Sequence, residues 1–512
     1  MKRITQLFLL LISLNLFAQN QNLASLAKGD YLGFNAVFDQ DDNLFGYVAL
    51  YGYGKSGDKT KKFEYVILDK NLNPVANKEF EGDITAANYY AYMDFKGDII
   101  LRPSEIDYYA VKQKDLFAPS SMQISPKENL IKRKVYYDYE GNGKFIEIKE
   151  PKNWKQAQKE TKNEKREKGY NFISGVYEIK EGGFLVIEYK DYGKYINNNC
   201  LSRFDENKKE IWKFKYNTDG TKKINEQLNV IEKDEKNIYC ILQSNNKTKK
   251  SFYLLVIDMK TGKELHRKEI TKLTSTTLDY ITSFYGNNRS IDNDKTFEDK
   301  IVLMGWNFKN DNDYFTGFAR VVINKSTFEV EETTIDYEND LNSFIPKLGS
   351  TGMVENGYQL MPRDLFFMND GSIGILMEKF KYVGNGSMSK TTDLVYIYTD
   401  KDFKVKGVKI FDKEKTKSYY NSDYLFSQYL NNGKDVVFFY RDYQKDKETK
   451  EKNWNLFINT LIGGEFRQEQ VPISQKDNFF VSPYVAKQGY ILLHEYNKKD
   501  KYNQVRLERL NY

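Results

Sequence analysis

The stretch FYLLVIDMKTGKELHRKEI, residues 252–270, joins an apolar half to a charged half through a turn at 261–263. Residues 252–257 carry no charge. A strand with one solvated face should alternate apolar and polar side chains, whereas a strand buried on both faces need not. The second half is dense in Lys, Arg and Glu, which suits an outer strand because charges discourage edge-to-edge pairing. We therefore predict a hairpin with a sandwiched first strand and a solvent-facing second strand.

Similar hairpins recur along the chain. Each has an apolar strand, a turn rich in Asp, Asn, Lys or Gly, and a more polar strand. The other copies are FEYVILDKNLNPVANKEF (63–80), CLSRFDENKKEIWKFKY (200–216), FARVVINKSTFEVEETTI (318–335), DLVYIYTDKDFKVKGVKIF (393–411) and NLFINTLIGGEFRQEQVPI (455–473). Two short apolar strands precede each hairpin, as NIYCILQS (237–244) precedes the opening one. The repeat is therefore four short strands over about 50–70 residues, which is typical of a β-propeller.

The chain divides into eight such units. They lie near residues 30–82, 91–150, 172–216, 228–270, 281–337, 358–411, 423–473 and 479–512. The second unit has blurred hairpins, and the last has fewer than four clear strands, so an N-terminal strand that pairs into it would complete it. The predicted fold is all-β, a β-propeller of seven or eight four-stranded blades. Two separate smaller β domains are the alternative.

The first 18 residues predict a secretory signal peptide. Lys2 and Arg3 form a basic start, residues 7–16 form an apolar core, and Ala18 is a small residue at a plausible cleavage site. Cleavage there leaves Gln19 as the new N-terminus, and residues 19–512 are then expected to form a single β-propeller domain. An uncleaved anchor is the alternative, although the apolar run is short for a membrane span. No later segment approaches that length, so we expect an exported protein, periplasmic or extracellular.

One stretch breaks the repeat. KNWKQAQKETKNEKREKG, residues 152–169, is dense in Lys and Glu and has one β-branched residue, Thr161. It is typical of a short charged helical or mobile insert between units. A basic interaction patch is the other interpretation, but Glu160, Glu164 and Glu167 offset its positive charge.

Charge and cysteine content exclude some classes of protein and leave others open. The loss of Lys2 and Arg3 with the signal lowers the formal net charge from +6 to +4, which is nearly neutral for this length and gives no support for a nucleic-acid partner. Cys200 and Cys240 are the two cysteines. An exported protein can oxidise such a pair, so one disulfide and two buried thiols both remain open.

The sequence lacks the usual catalytic and metal-binding motifs. It has two histidines, of which His266 is expected at the surface and His494 in an apolar strand as a core imidazole. No HExxH, Gly-x-Ser-x-Gly or phosphate-binding loop is present. GYGKSG (52–57) lacks the spacing and the following helix of a nucleotide-binding loop, so we interpret it as a hairpin turn. We therefore assign no catalytic, cofactor-binding or metal-binding residue and expect no cofactor.

Acidic and aromatic clusters are the remaining candidates for calcium or sugar binding. DQDDN (39–43), DNDKTFED (292–299) and NDND (310–313) have oxygen ligands for Ca²⁺ but lack the full calcium loop, and such residues are common in turns. Tyr clusters in NYYAYMDF (88–95) and KVYYDY (134–139) could stack on sugars. Because Tyr and Phe favour strands and fill space between sheets, we favour packing roles for them.

Two resemblances follow from these residues. DMKTGKEL (258–265) resembles the repeat of quinoprotein-type propellers, in which Asp, Thr-Gly and an aromatic docking residue recur. Asp258, Thr261 and Gly262 match it once, and His266 lies near the expected docking Trp. This supports blade geometry and does not imply a quinone cofactor. The chain also resembles the uncharacterised exported β-propeller-like proteins of Bacteroidota, through its Phe-Ala-Gln signal end and Asn/Lys/Tyr-rich composition, which implies an envelope or secreted location.

The absence of a nucleophile–base arrangement favours an exported, non-enzymatic binding or scaffold protein of the cell envelope. An envelope protein or a glycan is the expected type of partner. The alternative is a carbohydrate-active enzyme that uses Asp and Glu carboxylates at the central channel of the propeller, since such chemistry needs no histidine. Carboxylates that converge with aromatic side chains would favour the enzyme, and carboxylates scattered on turns would favour the binding protein.

Overall fold

The structure is a computed structural model that describes most of the chain. The described residues are 20–39, 43–58, 60–84, 86–93, 95, 97–106, 136–140, 144–148, 172–189, 199–207, 209–216, 224–246, 250–270, 285–286, 289–290, 294–308, 315–383, 388–418, 422–473, 479–497 and 502–511. They belong to two compact units, one of residues 1–218 with 475–511 and the other of residues 219–474. The signal peptide and the insert at 152–169 lie outside the described residues.

In the described residues of the first unit, the strands form three four-stranded antiparallel sheets and two hairpins. Sheet 1 is β2–β5, Asp30–Phe38, Leu44–Lys55, Thr60–Asp69 and Pro74–Asp83. The hairpins are β6–β7, Ala86–Met93 and Ile99–Ile106, and β8–β9, Tyr136–Glu140 and Lys144–Ile148. Sheet 2 is β10–β13, Phe172–Glu178, Phe184–Tyr189, Cys200–Phe204 and Glu210–Lys215. Sheet 7 joins β1, Asn20–Asn22, to β33–β35, Phe479–Val485, Tyr490–Asn497 and Tyr502–Arg509.

The described part of the second unit has four larger antiparallel sheets and one two-stranded sheet. Sheet 3 is β14–β17, Ile224–Lys233, Asn237–Asn246, Lys250–Asp258 and Glu264–Glu269. The short strands β18 and β19, Tyr285–Gly286 and Arg289–Ser290, pair before sheet 4, which is β20–β23, Asp294–Thr296, Lys300–Phe308, Phe315–Asn324 and Val330–Asp336. Sheet 5 is β24–β28, Gln359–Phe367, Ile373–Val383, Met388–Thr399, Val405–Phe411 and Thr416–Ser418. Sheet 6 is β29–β32, Tyr424–Leu430, Asp435–Lys445, Lys452–Ile462 and Glu465–Pro472.

Short helical segments complete the described elements. They are a 3-10 turn at Leu23–Ser25, a π-helical turn at Tyr337–Leu341, and 3-10 turns at Glu355–Gly357 and Asn431–Gly433. Among the described residues, no helix has the length and apolar character that a membrane crossing requires.

The prediction of an all-β fold of four-stranded, β-propeller-type blades is confirmed. Seven of the eight predicted units correspond to sheets 1–7. Sheets 1–6 are built from consecutive antiparallel strands, and sheet 7 is built from β33–β35 with β1. The predicted second unit instead gives two separate hairpins, β6–β7 and β8–β9, within the described residues. The strand β1 pairs with β35, with Gln21 opposite Val505, so an N-terminal strand completes the last sheet as expected. The expectation of one domain over residues 19–512 stays a prediction.

The opening hairpin has the predicted arrangement. Strand β16 is the third strand of sheet 3, and Leu254, Leu255, Val256 and Ile257 are all fully buried. Consecutive strand residues point to opposite faces, so β16 is covered on both. The outer strand β17 is exposed along most of its length. The contrast between the two halves of the sequence therefore reflects the contrast between a sandwiched strand and an edge strand.

Each sheet has two different ends because its strands follow a simple antiparallel order. The turns between the first and second strands and between the third and fourth strands lie at one end, which we call the turn end. The connections between the second and third strands, and those that lead to the next sheet, lie at the opposite end, which we call the loop end.

Acidic and amide side chains close most of the outer turns at the turn end. The side-chain oxygen of each accepts hydrogen bonds from backbone N–H groups two to four residues further on, which is the usual way in which Asp and Asn stabilise a turn. These residues are Asp69, Asp205, Asp258, Asn324 and Asp400. The carboxylates on these turns therefore have structural roles.

Apolar residues in three of these turns pack into the cores between sheets. Leu72, Phe328 and Phe403 have φ of 68°, 57° and 64°, a conformation that is uncommon for residues other than glycine. Leu72 and Phe403 are 2% exposed. Phe328 lies against His266 of the neighbouring sheet 3, with ring centroids 4.8 Å apart. The backbone strain at these turns is thus offset by the burial of the side chain.

Candidate functional site

A buried charge network joins sheets 5 and 6 at their loop ends. Glu378, on β25, is fully buried, and its carboxylate accepts a hydrogen bond from Arg363 Nε of β24 at 2.8 Å. The second oxygen of Glu378 lies 3.6 Å from Lys413 Nζ, which comes from the segment after β27. Because buried charges are stable only when they are paired, these contacts hold the segment after β27 against sheet 5.

Asp423 continues the network into sheet 6. Lys413 Nζ donates to Asp423 Oδ2 at 2.9 Å, and Arg441 Nε of β30 lies 3.3 Å from Asp423 Oδ1. Burial by itself would raise the pKa of Asp423, but the charge of Lys413 and the hydrogen bonds from Thr416 and Lys413 outweigh it and lower this pKa. Burial would lower the pKa of Lys413, but the charges of Glu378 and Asp423 raise it. Both groups are therefore charged at neutral pH.

A second ion-pair group lies on the same end of sheet 5. Lys379 Nζ donates to Glu355 Oε1 at 2.7 Å and to Asp393 Oδ2 at 2.9 Å. Burial would raise the pKa of both carboxyls, but the hydrogen bond and charge of Lys379 lower it. This group ties the turn at Glu355–Gly357 to the middle strands of sheet 5. Glu355, Asp393 and Asp423 are thus ionised and already paired with cations.

Asp442 is the carboxyl in this region whose pKa is raised, and burial is the main cause. Its oxygens accept the backbone N–H groups of Glu414 at 3.1 Å and Tyr443 at 2.8 Å, and the residue is 6% exposed. General acid catalysis needs a protonated carboxyl that can reach the substrate. The buried carboxylate of Asp442 therefore links β30 of sheet 6 to the segment after β27.

The rims of both sheets carry cations and aromatic rings beside this network. Lys381 of β25, Lys390 of β26 and Lys417 of β28 lie directly opposite one another in three adjacent strands. Lys381 Nζ donates to the backbone carbonyl of Asn356 at 2.8 Å and lies 4.5 Å from the ring centroid of Tyr358. These three lysines make the loop end of sheet 5 a positively charged surface. Like charges directly opposite one another are unfavourable in a sheet.

Exposed apolar side chains lie at the same end of sheet 5. Tyr382 is 63% exposed, and its ring meets Phe380 edge-on at 4.8 Å. Met353 is 41% exposed, and its backbone forms a bridge to Gln359, the cross-strand partner of Phe380. Contiguous exposed apolar patches often mark binding surfaces, and the loop end of sheet 5 places two such side chains, Tyr382 and Met353, in solvent.

Sheet 6 presents a second group of cations and rings. Trp454 of β31 lies opposite Tyr443 of β30 with ring centroids 5.2 Å apart, and the guanidinium of Arg441 lies 5.5 Å from the ring of Trp454. Lys452 Nζ lies 4.1 Å from the ring of Tyr443, and Lys452 is directly opposite Lys445. We call these five residues the cation–aromatic face of sheet 6.

The two histidines have different outcomes. His266 was expected at the surface, but its ring packs on Phe328 of sheet 4 and is only partly exposed, because the edge strand β17 still meets the neighbouring turn. His494 is 5% exposed and hydrogen-bonds through Nε2 to Asn503 Oδ1, as expected for a core imidazole. Its ring lies among Tyr31, Tyr484 and other aromatic rings.

Both cysteines are buried free thiols, so the structure agrees with the interpretation as two thiols and not with a disulfide. Burial raises the pKa of Cys240, which keeps its thiol protonated and unreactive. GYGKSG forms the end of β3 and its hairpin turn, where Ser56 N–H donates to the carbonyl of Thr60 at 3.0 Å.

The acidic and tyrosine clusters lie only partly within the described residues. Asp39 accepts hydrogen bonds from the backbone and side chain of Asn43, and so closes a turn. Residues 310–313 and the first residues of 292–299 lie outside the described residues. Among the described residues, no group of three or more His, Cys, Asp or Glu side chains could hold a metal ion. Tyr89 packs edge-on against Phe63 and Phe80 in the core of the first unit.

Comparisons with known proteins add little to this description. No protein-family model matches the chain, and no curated protein matches it. Among solved structures, the chain is similar to the WD40 domain of SCAP from fission yeast, with 8% identity, coverage of 96% of this chain and 94% of that chain, and a TM-score of 0.25. It is also similar to a variant of Synechocystis apocarotenoid oxygenase, with 10% identity, 73% and 80% coverage, and a TM-score of 0.26.

A third similar structure is the GH32 β-fructofuranosidase BmSUC1 from Bombyx mori, with 9% identity, 69% and 65% coverage, and a TM-score of 0.21. Identities and TM-scores this low assign neither a fold nor an activity. The fold is therefore assigned from the sheets of the chain itself, and the function from the loop ends of sheets 5 and 6.

Proposed function

We propose that the chain is an exported binding or scaffold protein of the cell envelope that holds its partner at the loop ends of sheets 5 and 6. The supporting observation is that the buried carboxylates Glu378 and Asp423 are both paired with cations, while Tyr382 of the same sheet 5 is 63% exposed. Paired and buried carboxylates give a rigid frame, and exposed rings on such a frame suit recognition better than acid–base chemistry.

Photo-crosslinking in the native host tests this proposal. A benzophenone amino acid at Tyr382 inserts into C–H bonds of proteins and of sugars, so it reports either class of partner. The matched control is Leu265, which is 52% exposed on the edge strand of sheet 3. We expect a discrete adduct in the envelope from position 382 and none from position 265. The absence of an adduct at 382, or equal adducts at both positions, would contradict the proposal.

A carbohydrate-active enzyme is the competing hypothesis, and an assay for hydrolysis of oligosaccharides distinguishes it from a binding protein. Purified mature protein is incubated with neutral and acidic oligosaccharides, and products are followed by mass spectrometry. We expect no hydrolysis, because Glu378 and Asp423 are buried and are already paired with cations. Hydrolysis by the parent that is lost in Asp423→Asn or Glu378→Gln variants that still fold would replace the binding function with an enzymatic one.

Export is a separate part of the proposal and has its own measurement. The basic, apolar and small-residue series in residues 1–18 supports cleavage before Gln19. Intact-mass analysis of the protein from its native host should show a chain that begins at Gln19 in the periplasm or the medium. A full-length chain that retains Met1 in the cytoplasm would rule out export.

A further inference from the structure

A row of three lysines crosses the loop end of sheet 5. Lys381, Lys390 and Lys417 are directly opposite one another in adjacent strands, so their side chains share one face of the sheet. Adjacent strands are about 4.8 Å apart, which gives the row a length of about 10 Å. Lys417 is exposed, and Lys381 and Lys390 are partly exposed. The row therefore presents three positive charges along the end of the sheet.

The acidic residues nearest to this row in the sequence lie on its inner side. The stretches 381–390 and 417–422 contain no Asp or Glu. The segment between β27 and β28 carries Asp412 and Glu414. This segment lies nearer the middle of sheet 5 than the row does, because β28 follows it toward the strand ends.

The other carboxylates at this end are already in ion pairs. Glu355 and Asp393 both accept hydrogen bonds from Lys379 Nζ, at 2.7 Å and 2.9 Å. Asp423 is buried and pairs with Lys413 Nζ at 2.9 Å. The charges that lie outermost at the loop end of sheet 5 are therefore positive.

The end of the β25–β26 hairpin exposes an aromatic ring just beyond the row. Tyr382 is 63% exposed and lies one residue nearer the end of the hairpin than Lys381, which is about 3.3 Å along the strand. Val383 and Met388, the last pair of this hairpin, are partly exposed apolar residues. Tyrosine is enriched where proteins meet the headgroups of a membrane, because its ring is apolar and its hydroxyl is polar. A surface laid across the strand ends therefore meets the ring first and the lysine row next.

We propose that the loop end of sheet 5 docks on a membrane surface that carries anionic phospholipid headgroups. Tyr382 enters the headgroup layer, and Lys381, Lys390 and Lys417 face the phosphates. Residues 379–422 contain no arginine, and lysine attracts an anion as a flexible point charge, without the fixed two-bond geometry of a guanidinium. This property fits a fluid layer of headgroups better than a single fixed anion on a protein or a glycan. The assignment rests on the proposed binding function and names its class of partner.

Flotation of the full mature chain with lipid vesicles tests the assignment. The anionic vesicles contain phosphatidylglycerol and phosphatidylethanolamine, and the neutral vesicles contain phosphatidylcholine. We expect binding to the anionic vesicles that weakens with salt, and at least about tenfold weaker binding to the neutral ones. Because each lysine near an anionic membrane strengthens binding about fivefold, the double variant Lys390→Ser/Lys417→Ser should lose about tenfold or more. Tyr382→Ser should lose several-fold.

The control double variant is Lys260→Ser/Lys263→Ser, which removes the same charge from exposed positions in the turn of sheet 3. Leu265→Ser, at a 52% exposed position of β17, is the control for Tyr382→Ser. We expect both controls to bind the anionic vesicles like the parent, and circular dichroism verifies that every variant is folded. No binding to the anionic vesicles, equal binding to both kinds of vesicle, or equal losses in the controls would each overturn the assignment.

This assignment and the proposed binding function fail separately. A discrete protein or glycan adduct from position 382, together with no binding to vesicles, would overturn the membrane assignment and leave the binding function standing. Binding to vesicles that is unchanged in the Lys390→Ser/Lys417→Ser and Tyr382→Ser variants would place the membrane contact elsewhere on the chain and overturn the assignment as well.

Discussion

At the scale of single residues, Val256 is the most direct test of the sandwiched strand. It is fully buried in the core that sheet 3 shares with sheet 4, among Tyr239, Leu254 and Ile301. Val256→Asp places a carboxylate there without a partner and should destabilise the protein severely, by about 4 kcal/mol or more. Lys263→Asp, in the exposed turn of the same hairpin, should change the free energy of unfolding by at most about 0.5 kcal/mol.

Chemical denaturation of both variants, with circular dichroism to confirm the β spectrum, makes this comparison. An unfolding midpoint of Val256→Asp equal to that of the parent would mean that position 256 reaches water and that the strand is not covered on both faces.

Glu378 tests the buried network in the same way. Glu378→Gln removes the negative charge that Arg363 Nε contacts at 2.8 Å and that lies 3.6 Å from Lys413 Nζ in a fully buried site, and we expect a loss of about 3–5 kcal/mol. Glu264→Gln is the control, because Glu264 also pairs with an arginine, Arg267, but its side chain is 34% exposed. Its cost should be about 0–1 kcal/mol. Urea unfolding gives both values, and similar costs would show that the network is not the buried frame described above.

His494 predicts how stability depends on pH. Burial lowers the pKa of His494, and the hydrogen bond with Asn503 only partly offsets this. The unfolded chain therefore binds a proton near pH 6.5 that the folded chain does not, so stability falls as the pH drops from about 6.5 toward the lower folded pKa. Unfolding at pH 7 and 5.5 should show a smaller difference in His494→Gln than in the parent, and equal differences would contradict this.

At the scale of elements, the N-terminal strand β1 and the turn after it are expected to stabilise sheet 7. Leu23 is fully buried in the core formed by sheets 1 and 7, and its carbonyl accepts a hydrogen bond from the hydroxyl of Tyr51. Leu23→Ala should cost about 2–5 kcal/mol, because it leaves a cavity in that core. Leu32→Ala, at a 37% exposed position of β2, should cost about 0.5 kcal/mol. Equal thermal stability of the two variants would mean that the N-terminal segment is not docked.

Most elements were predictable from the sequence because their pattern is local. The hairpin of β16 and β17 has an apolar strand, an Asp-capped turn and a charged strand, and each of these properties depends on neighbouring residues. The same holds for the sheets that repeat this pattern. The predicted second unit has no such pattern, and it is also the unit that is not a single four-stranded sheet in the described residues.

The candidate site was not predictable because its members are far apart in sequence. Lys381, Lys390 and Lys417 become neighbours only through the register of β25, β26 and β28, and nothing in the sequence around residue 417 indicated that a fifth strand adds to sheet 5. Glu378 and Asp423 are each a single acidic residue next to apolar ones, and their pairing through Lys413 depends on how sheet 6 packs on sheet 5. An ionisable residue within an apolar strand, such as Glu378, is the one local signal that was available.

At the scale of the whole molecule, the turn end and the loop end of the sheets differ in the residues that they expose. The turn ends are closed by short capped turns, whose apolar residues fill the cores between neighbouring sheets. The loop ends of sheets 5 and 6 carry the exposed tyrosine, the lysine pairs and the rings over a frame of paired charges. A surface of this kind can change its outer side chains without loss of the fold, because the stability of each sheet comes from its covered middle strands.

Hydrogen exchange on the whole folded protein, resolved strand by strand with mass spectrometry, tests this central claim most directly. The middle strands β16, β22, β26 and β31 are expected to exchange slowest, with protection close to that of global unfolding, because neighbouring sheets cover them. The edge strands β17 and β32 are exposed along most of their length and should exchange much faster. Edge strands that are protected as strongly as the middle strands of the same sheets would contradict the arrangement of covered middle strands and solvent-facing edges.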